Sequence, residues 1–220
     1  MSSRAGLVLQ LASGEGGRRY LELGPDELRG IAAVLERLLR ASGVGRGHRL
    51  LAYDFSTSLN VLALTRAYAP GLEVGACDSI GCSVISLDGL PSLASRTAYF
   101  YKLLRPDFLM VRRELLAPLR SKMEGSGLGP TIIVSSQPEP AEAPGASSTR
   151  TLYVLEEALF MALLSGDRIT YVDDLYDYRC EGGVLAVRPR FARDLGFART
   201  SIHCAEQEVA PYDGGRRVLL

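Results

Sequence analysis

Tryptophan is absent from this 220-residue sequence, and lysine, asparagine, glutamine and histidine are scarce. Arginine outnumbers lysine by 23 to 2, and the amide side chains are confined to Gln10, Asn60, Gln137 and Gln207. Few heat-labile amides favour a heat-adapted protein, whereas the shortage of lysine departs from the usual hyperthermophile pattern and is also typical of a GC-rich genome.

Net charge is missing as well, because 25 basic and 25 acidic residues cancel. The sequence therefore gives no bulk attraction to nucleic acid or to an anionic membrane surface. No apolar run has the length of a membrane span, and the first ten residues do not match a signal peptide. With 47% hydrophobic and 23% charged residues, the composition excludes a disordered chain. We expect a soluble cytoplasmic protein with no nucleic-acid or membrane partner.

The sequence has four cysteines, and their pairing depends on the redox compartment. In a heat-adapted cytosol, disulfides become credible, and the spacing allows Cys77 to pair with Cys82 across a short turn between two predicted strands. Cys180 and Cys204 are separated by a predicted hairpin and can pair across it. The alternatives are four separate thiols, or a metal site completed by His203.

Hydrophobic periodicity predicts alternating strands and helices over most of the chain. The first helix begins near Pro25, where two acidic residues follow, and ends before Gly43. Further predicted helices are 56–69, 91–105, 112–124 and the apolar stretch 152–164, and predicted strands are 7–12, 20–23, 50–53, 72–76, 83–87, 107–111, 131–134, 169–172, 175–180 and 184–187. This order predicts an α/β protein with a mainly parallel sheet flanked by helices, and a smaller β-rich C-terminal part. We divide the chain into an α/β core at 1–136, a Pro/Ala-rich linker or loop at 137–150, and an α+β part at 151–220 that completes the core.

A glycine-rich loop, Ser13-Gly14-Glu15-Gly16-Gly17-Arg18, follows the first predicted strand. Glycines allow backbone N–H groups to approach a phosphate, and a serine and an arginine can bind it. The spacing matches neither a P-loop nor a dinucleotide fingerprint, and Glu15 opposes an anion. A plain surface turn is the alternative interpretation.

The surroundings of this loop resemble the adenylate-forming enzymes, and particularly the phenylacetate–CoA ligase branch. In that family a Ser/Thr/Gly loop ending in lysine grips the ATP phosphates, and a helix and a Gly-Val-x-x-Gly-Asp segment follow. Residues 12–18 and 43–49 are similar to these two segments, and the similarity of pattern extends over roughly residues 5–202. The resemblance implies an acyl-CoA ligase-like core that would use ATP and magnesium if active.

The same resemblance implies roles for individual residues. The implied nucleotide-binding residues are Ser13, Gly14, Gly17, Arg18, Tyr153, Glu157 and Thr200. Glu157 would also hold magnesium, because it stands at the acid of the family's Tyr-Gly-x-Thr-Glu motif. The catalytic residues stay unassigned, since the lid domain with its lysine has no counterpart in the sequence.

Two departures from the family pattern predict weak nucleotide binding. Glu15 replaces a neutral loop residue, and Ile202 stands where the ribose-binding aspartate should be. A degenerate core is therefore expected to bind nucleotide or acyl-adenylate weakly or not at all. A non-catalytic protein that keeps the fold is the first alternative, acting as a homodimer or beside a ligase-type partner subunit.

Two other stretches suggest different chemistry. A strand, a polar turn at Asp54, a helix and Asp78 follow the layout of S-adenosylmethionine-dependent methyltransferases, although a capped helix start at Asp54 or Ser56 is the better explanation of the turn. The acidic and aromatic run 171–178 could supply paired carboxylates, but a hairpin with a solvated face is the better interpretation.

Overall fold

The computed structural model describes the backbone of residues 7–11, 19–123, 125–166, 168–204, 209–212 and 215–219, and side chains within 20–123, 125–166 and 168–204. The helices are α1 (Pro25–Ala41), α2 (Leu59–Leu62), α3 (Ala76–Ile80), α4 (Ala94–Leu104) and α5 (Arg113–Ser121). The strands are β1 (Leu7–Leu11), β2 (Arg19–Leu23), β3 (Arg49–Asp54), β4 (Ser83–Asp88), β5 (Phe108–Arg112), β6 (Thr131–Ser135), β7 (Thr149–Leu155), β8 (Phe160–Ser165), β9 (Arg168–Tyr171), β10 (Tyr176–Glu181), β11 (Val184–Pro189), β12 (Ala198–His203), β13 (Val209–Tyr212) and β14 (Gly215–Leu219).

A nine-stranded mixed sheet forms the centre of the molecule, in the order β13-β14-β9-β8-β7-β6-β5-β3-β4. The strands from β4 to β7 pair in parallel, and the remaining pairs are antiparallel. A ribbon of β1 and β2 and an antiparallel sheet of β10, β11 and β12 accompany it. The predicted α/β class with a smaller β-rich C-terminal part is confirmed.

Helices cover both faces of the parallel strands, because alternate residues of each strand point to opposite sides. Leu50 and Ala52 of β3 belong to the core under α1, α2 and α3, whereas Leu51 and Tyr53 belong to the core under α4 and α5. The strands are buried on both faces, which is why they appear in the sequence as continuous apolar runs.

Helix α1 begins and ends as its sequence predicts. Pro25 occupies the first turn, and the carboxylate of Glu27 accepts a hydrogen bond of 2.9 Å from the backbone N–H of Gly24. Gly43 follows with φ of 94°, a backbone conformation that glycine adopts without strain. No helix within the described ranges has both the length and the apolar character needed to cross a bilayer.

The predicted helix at 152–164 is wrong, because this stretch forms β7 and β8. The two strands pair antiparallel from Thr151 with Leu164 to Leu155 with Phe160, around a 3-10 turn at residues 156–158. Leu159 closes that turn with φ of 50°. Both strands are buried on both faces, so the sequence lacks the alternation that would have revealed them.

The helix at 56–69 and the strand at 72–76 are also largely wrong. Helix α2 is a single short turn, and α3 begins at Ala76 where a strand was expected. The carboxylate of Asp78 holds this region together by accepting hydrogen bonds from the Thr65 hydroxyl and from the backbone N–H groups of Arg66 and Gly75. Asp78 therefore stabilises the local structure, and these hydrogen bonds do not support its use as the ribose-binding acid of a methyltransferase.

Disulfides join Cys77 to Cys82 and Cys180 to Cys204, with Cα–Cα distances of 4.9 Å and 6.0 Å. Cys77 lies in α3, so its expected position between two strands is wrong. The second disulfide ties the end of β10 to the residue that follows β12. Because each sulfur is bonded to another, none is available to the alternative metal site.

Candidate functional site at the carboxyl edge of the parallel strands

The order of the parallel strands marks one point of the sheet as a natural crevice. The chain goes from β3 outward to β4, crosses back past β3 to β5, and then continues in the opposite direction to β6 and β7. In open α/β sheets, ligands bind outside the carboxyl ends of the strands where the order reverses. In this chain that point lies between the ends of β3 and β5, which are Asp54 and Arg112.

Asp54 and Arg112 form a buried ion pair at this switch point. Nε of Arg112 donates to Oδ1 of Asp54, which is fully buried. The same carboxylate accepts hydrogen bonds from the Phe55 backbone N–H at 2.7 Å, the Ser58 hydroxyl at 3.0 Å and Nδ2 of Asn60 at 3.0 Å. Burying an unpaired carboxylate has a large free-energy cost, and these hydrogen-bond donors offset it.

The end of β7 brings two predicted site residues together with a third. Tyr153 is buried in β7, and Glu157 is exposed on the 3-10 turn that follows. Ser201 of β12 lies close to the Tyr153 hydroxyl, and the negative charge of Glu157 also acts on that hydroxyl. Burial raises the pKa of Tyr153, so its hydroxyl is a protonated hydrogen-bonding group.

Thr200 lies beside Ser201, but its hydroxyl is used inside the protein. Oγ1 donates to the carbonyl oxygen of Leu185 at 2.8 Å and accepts from the backbone N–H of Ile202 at 3.0 Å. Ile202 is fully buried. Ile202, which the resemblance places at the ribose-binding acid, is thus part of the core.

Glu156, half-buried on the turn after β7, is influenced by charged groups at the ends of β3, β5 and β7. Burial raises the pKa of its carboxyl group, the positive charge of Arg112 acts against that effect, and the negative charges of Asp54 and Glu157 add to it. A carboxyl group whose pKa is raised by folding destabilises the protein at higher pH, because the folded state resists its ionisation.

Glu156→Gln should therefore stabilise the protein at pH 7, by roughly 1 kcal/mol, since the amide needs no ionisation. The gain should disappear at a pH below the ordinary pKa of glutamate, where the carboxyl group is protonated in both folded and unfolded chains. Urea denaturation at both pH values measures the difference. Glu157→Gln, an exposed neighbour, is the matched control, and equal effects of the two substitutions at pH 7 would contradict the assignment.

The remaining predicted residues of the site lie outside the described part of the chain. Ser13, Gly14, Gly17 and Arg18 belong to residues 12–18, between β1 and β2, which pair antiparallel from Leu7 with Leu23 to Leu11 with Arg19. Their phosphate-binding role stays a prediction.

Sequence reasoning missed Arg112 and Ser201, and considered Asp54 mainly as a helix cap. Asp54 and Arg112 could have been found from their positions, because each ends a buried strand and the carboxyl ends of parallel strands meet at one edge of a sheet. Within the described ranges, no group of three or more histidine, cysteine, aspartate or glutamate residues is placed to hold a metal ion.

No protein-family model matches the sequence, and no curated protein matches it either. Solved structures do match. An open conformation of 2-hydroxyisobutyryl-CoA ligase in complex with 2-HIB-AMP and CoA is 13% identical with a TM-score of 0.71, covering 100% of this chain and 56% of that one. An acyl-CoA synthetase (AMP-forming)/AMP-acid ligase II-like protein from Dyadobacter fermentans is 12% identical with a TM-score of 0.59, covering 99% and 60%.

The chain shares its fold with part of these two structures. The post-adenylation state of 2-hydroxyisobutyryl-CoA ligase with R3-HIB-AMP matches too, at 14% identity and a TM-score of 0.58, over 82% of this chain and 42% of that one. The chain spans little more than half the length of the first two structures. The resemblance to adenylate-forming enzymes is thereby supported at the level of the fold.

Proposed function

We propose that this chain is an adenylate-forming core of the acyl-CoA ligase type, similar to the phenylacetate–CoA ligase branch. The observation that supports the proposal is that Tyr153, Glu157 and Ser201 lie close together at the carboxyl edge of the parallel strands. The chain that holds them matches part of two acyl-CoA ligase-type structures in fold over nearly all of its own length. These residues come from two distant parts of the sequence, and both parts resemble nucleotide-binding motifs.

The donor groups at this edge fit ATP and magnesium in kind. Magnesium prefers carboxylate oxygens, and Glu157 offers an exposed one, with Glu156 next to it. Ser13, Gly14, Gly17 and Arg18 would bind the phosphates as the resemblance implies. When bound, ATP would supply the α-phosphorus that a substrate carboxylate attacks, and Tyr153 and Ser201 would contribute hydrogen bonds beside it.

The same edge explains why binding should be weak. Ile202 is buried and offers no carboxylate to a ribose, the Thr200 hydroxyl is already hydrogen-bonded, and Glu15 adds negative charge to the predicted phosphate loop. Each lost hydrogen bond or added like charge weakens the binding of an anionic nucleotide. A core of this kind can retain an acyl-adenylate site without efficient catalysis.

The expected dissociation constant for ATP with magnesium is about 1 mM or weaker. Calorimetric titration gives the affinity, and backbone amide shifts in a ¹H–¹⁵N NMR titration locate the site. Shifts at Tyr153, Glu157 and Ser201 would support the proposal. Glu157→Gln should weaken the effect of magnesium, whereas Glu181→Gln, at the turn between β10 and β11, should not. Micromolar affinity would contradict the expected degeneracy, and shifts elsewhere only would contradict the site.

A further inference from the structure

Helix α4 has an apolar stripe on its outer side. The residues that it buries are Ala94, Thr97, Ala98 and Tyr101. Tyr101 fixes this orientation, because its hydroxyl accepts a hydrogen bond of 2.6 Å from the backbone N–H of Gly129. The helix therefore turns Tyr99 and Leu103 outward, where they are 62% and 60% exposed, and Phe100 beside them is half-buried. Because residues four apart share a helix face, Tyr99 and Leu103 are neighbours on the surface.

The charged side chains of α4 and of the residue that follows it are all positive. Arg96, Lys102 and Arg105 are exposed, and no acidic residue occurs between Asp88 and Asp107. In the described part of the chain, no ion pair includes any of the three cations. The Asp107 carboxylate accepts a hydrogen bond of 2.7 Å from the first backbone N–H of β3. The cations and the outward apolar residues together form the α4 ridge, which consists of Arg96, Tyr99, Phe100, Lys102, Leu103 and Arg105.

The charge and the shape of the α4 ridge restrict the partners that fit it. Two copies of the chain that met through α4 would bring like charges together, which disfavours a symmetrical dimer at this surface. Largely exposed side chains project from the surface instead of lining a groove, so the partner has to be flat or deformable. A bilayer with anionic headgroups meets both requirements. Its phosphates attract the cations, and the boundary between headgroups and acyl chains accepts aromatic and leucine side chains.

We infer that the α4 ridge attaches the protein to an anionic membrane surface, with its apolar side chains among the headgroups and its cations on the lipid phosphates. The balanced charge of the whole chain predicts no membrane partner, but the fold concentrates positive charge on one helix, and attraction at short range depends on that local charge. The helix is already folded and packed on the sheet, so binding requires no ordering of the backbone. The inference goes beyond the proposed function and requires no nucleotide, so the two proposals can fail separately.

The test is flotation of the full chain with vesicles made from an equal mixture of phosphatidylglycerol and phosphatidylcholine. We expect the protein to float with these vesicles and to remain at the bottom with vesicles of phosphatidylcholine alone. Raising the ionic strength from about 0.1 M to about 1 M should weaken binding about tenfold, because the Debye length falls from about 10 Å to about 3 Å. Equal binding to both kinds of vesicle, or no binding to the anionic vesicles, would overturn the inference.

Four substitutions separate the apolar contribution from the electrostatic one. Leu103→Ser should weaken binding to the anionic vesicles about tenfold, because it removes apolar area that the bilayer covers. Val74→Ser changes another largely exposed aliphatic residue, in the segment before α3, and should have no effect. Lys102→Gln should weaken binding about fivefold. Arg29→Gln, which removes an exposed cation from α1 on the opposite face of the sheet, should not.

Poly-L-glutamate tests the other class of acidic partner, an acidic protein segment. It offers negative charge without an apolar interior, so it should bind at least about tenfold more weakly than the anionic vesicles, and Leu103→Ser should not change that binding. Circular dichroism verifies that each variant is folded. The inference would be wrong if poly-L-glutamate bound as tightly as the vesicles, or if Leu103→Ser and Val74→Ser floated equally well.

Discussion

The Arg112→Met protein should unfold with a free energy about 3–5 kcal/mol smaller than that of the wild type. The substitution keeps an apolar stem of similar length but removes the ion-pair partner of Asp54, whose carboxylate is fully buried. The remaining donors, Ser58, Asn60 and the Phe55 N–H, cannot neutralise the charge. Urea denaturation followed by circular dichroism measures the loss.

Two comparisons make this prediction specific. Arg113→Met removes an exposed arginine one residue away and should change the free energy of unfolding by no more than about 0.5 kcal/mol. Adding Asp54→Asn to Arg112→Met should restore part of the stability, because the buried negative charge is then gone. A loss below about 1 kcal/mol for Arg112→Met would show that solvent already screens Asp54.

The second large effect is expected at Phe160. This residue of β8 is fully buried, and its ring contacts the rings of four tyrosines: Tyr153 and Tyr176 at centroid distances of 6.2 Å and 5.2 Å, together with Tyr171 and Tyr178. Phe160→Ala leaves a cavity that these rings cannot fill, and should lower the free energy of unfolding by about 3–5 kcal/mol.

Denaturation again gives the stability change, and the near-ultraviolet circular dichroism of the tyrosines reports the loss of packing. Tyr99→Ala on α4 removes an aromatic ring of similar size, but Tyr99 is 62% exposed. This substitution should therefore change the free energy of unfolding only slightly. A similar small cost at Phe160 would mean that the surrounding rings collapse into the space. Since Tyr153 belongs to this cluster, nucleotide-induced shifts at Ser201 should also weaken in Phe160→Ala.

The sequence predicted the elements that carry local signals. Helix α1 has a proline at its start, acidic residues in its first turn, a continuous apolar stripe and a glycine after its end. Strand β3 is short, apolar and bounded by polar residues, so its prediction was accurate as well. In these cases the residues that determine the structure are neighbours in sequence.

Predictions failed where distant contacts decide the outcome. The apolar stretch 152–164 has no period because its two strands are buried on both faces, with α1 and β11 in contact with β8. Only the completed sheet shows that it is a hairpin. The ion pair of Asp54 and Arg112 joins residues 58 positions apart. Sequence alone could indicate that each residue ends a strand, but the strand order that brings the two together emerges only from the fold.

The pairing of β14 with β9 has a consequence for the order of folding events. Tyr171 of β9 lies opposite Arg216 of β14, and β10, β11, β12 and β13 come between these two residues in the sequence. Local hairpins close quickly, whereas joining β9 to β14 has to overcome the entropy of a long loop. The Cys180–Cys204 disulfide bypasses a separation of 24 residues inside that loop. An oxidised chain should therefore complete the nine-stranded sheet faster than a reduced one, and the last refolding phase should slow when the protein refolds in the presence of a reductant.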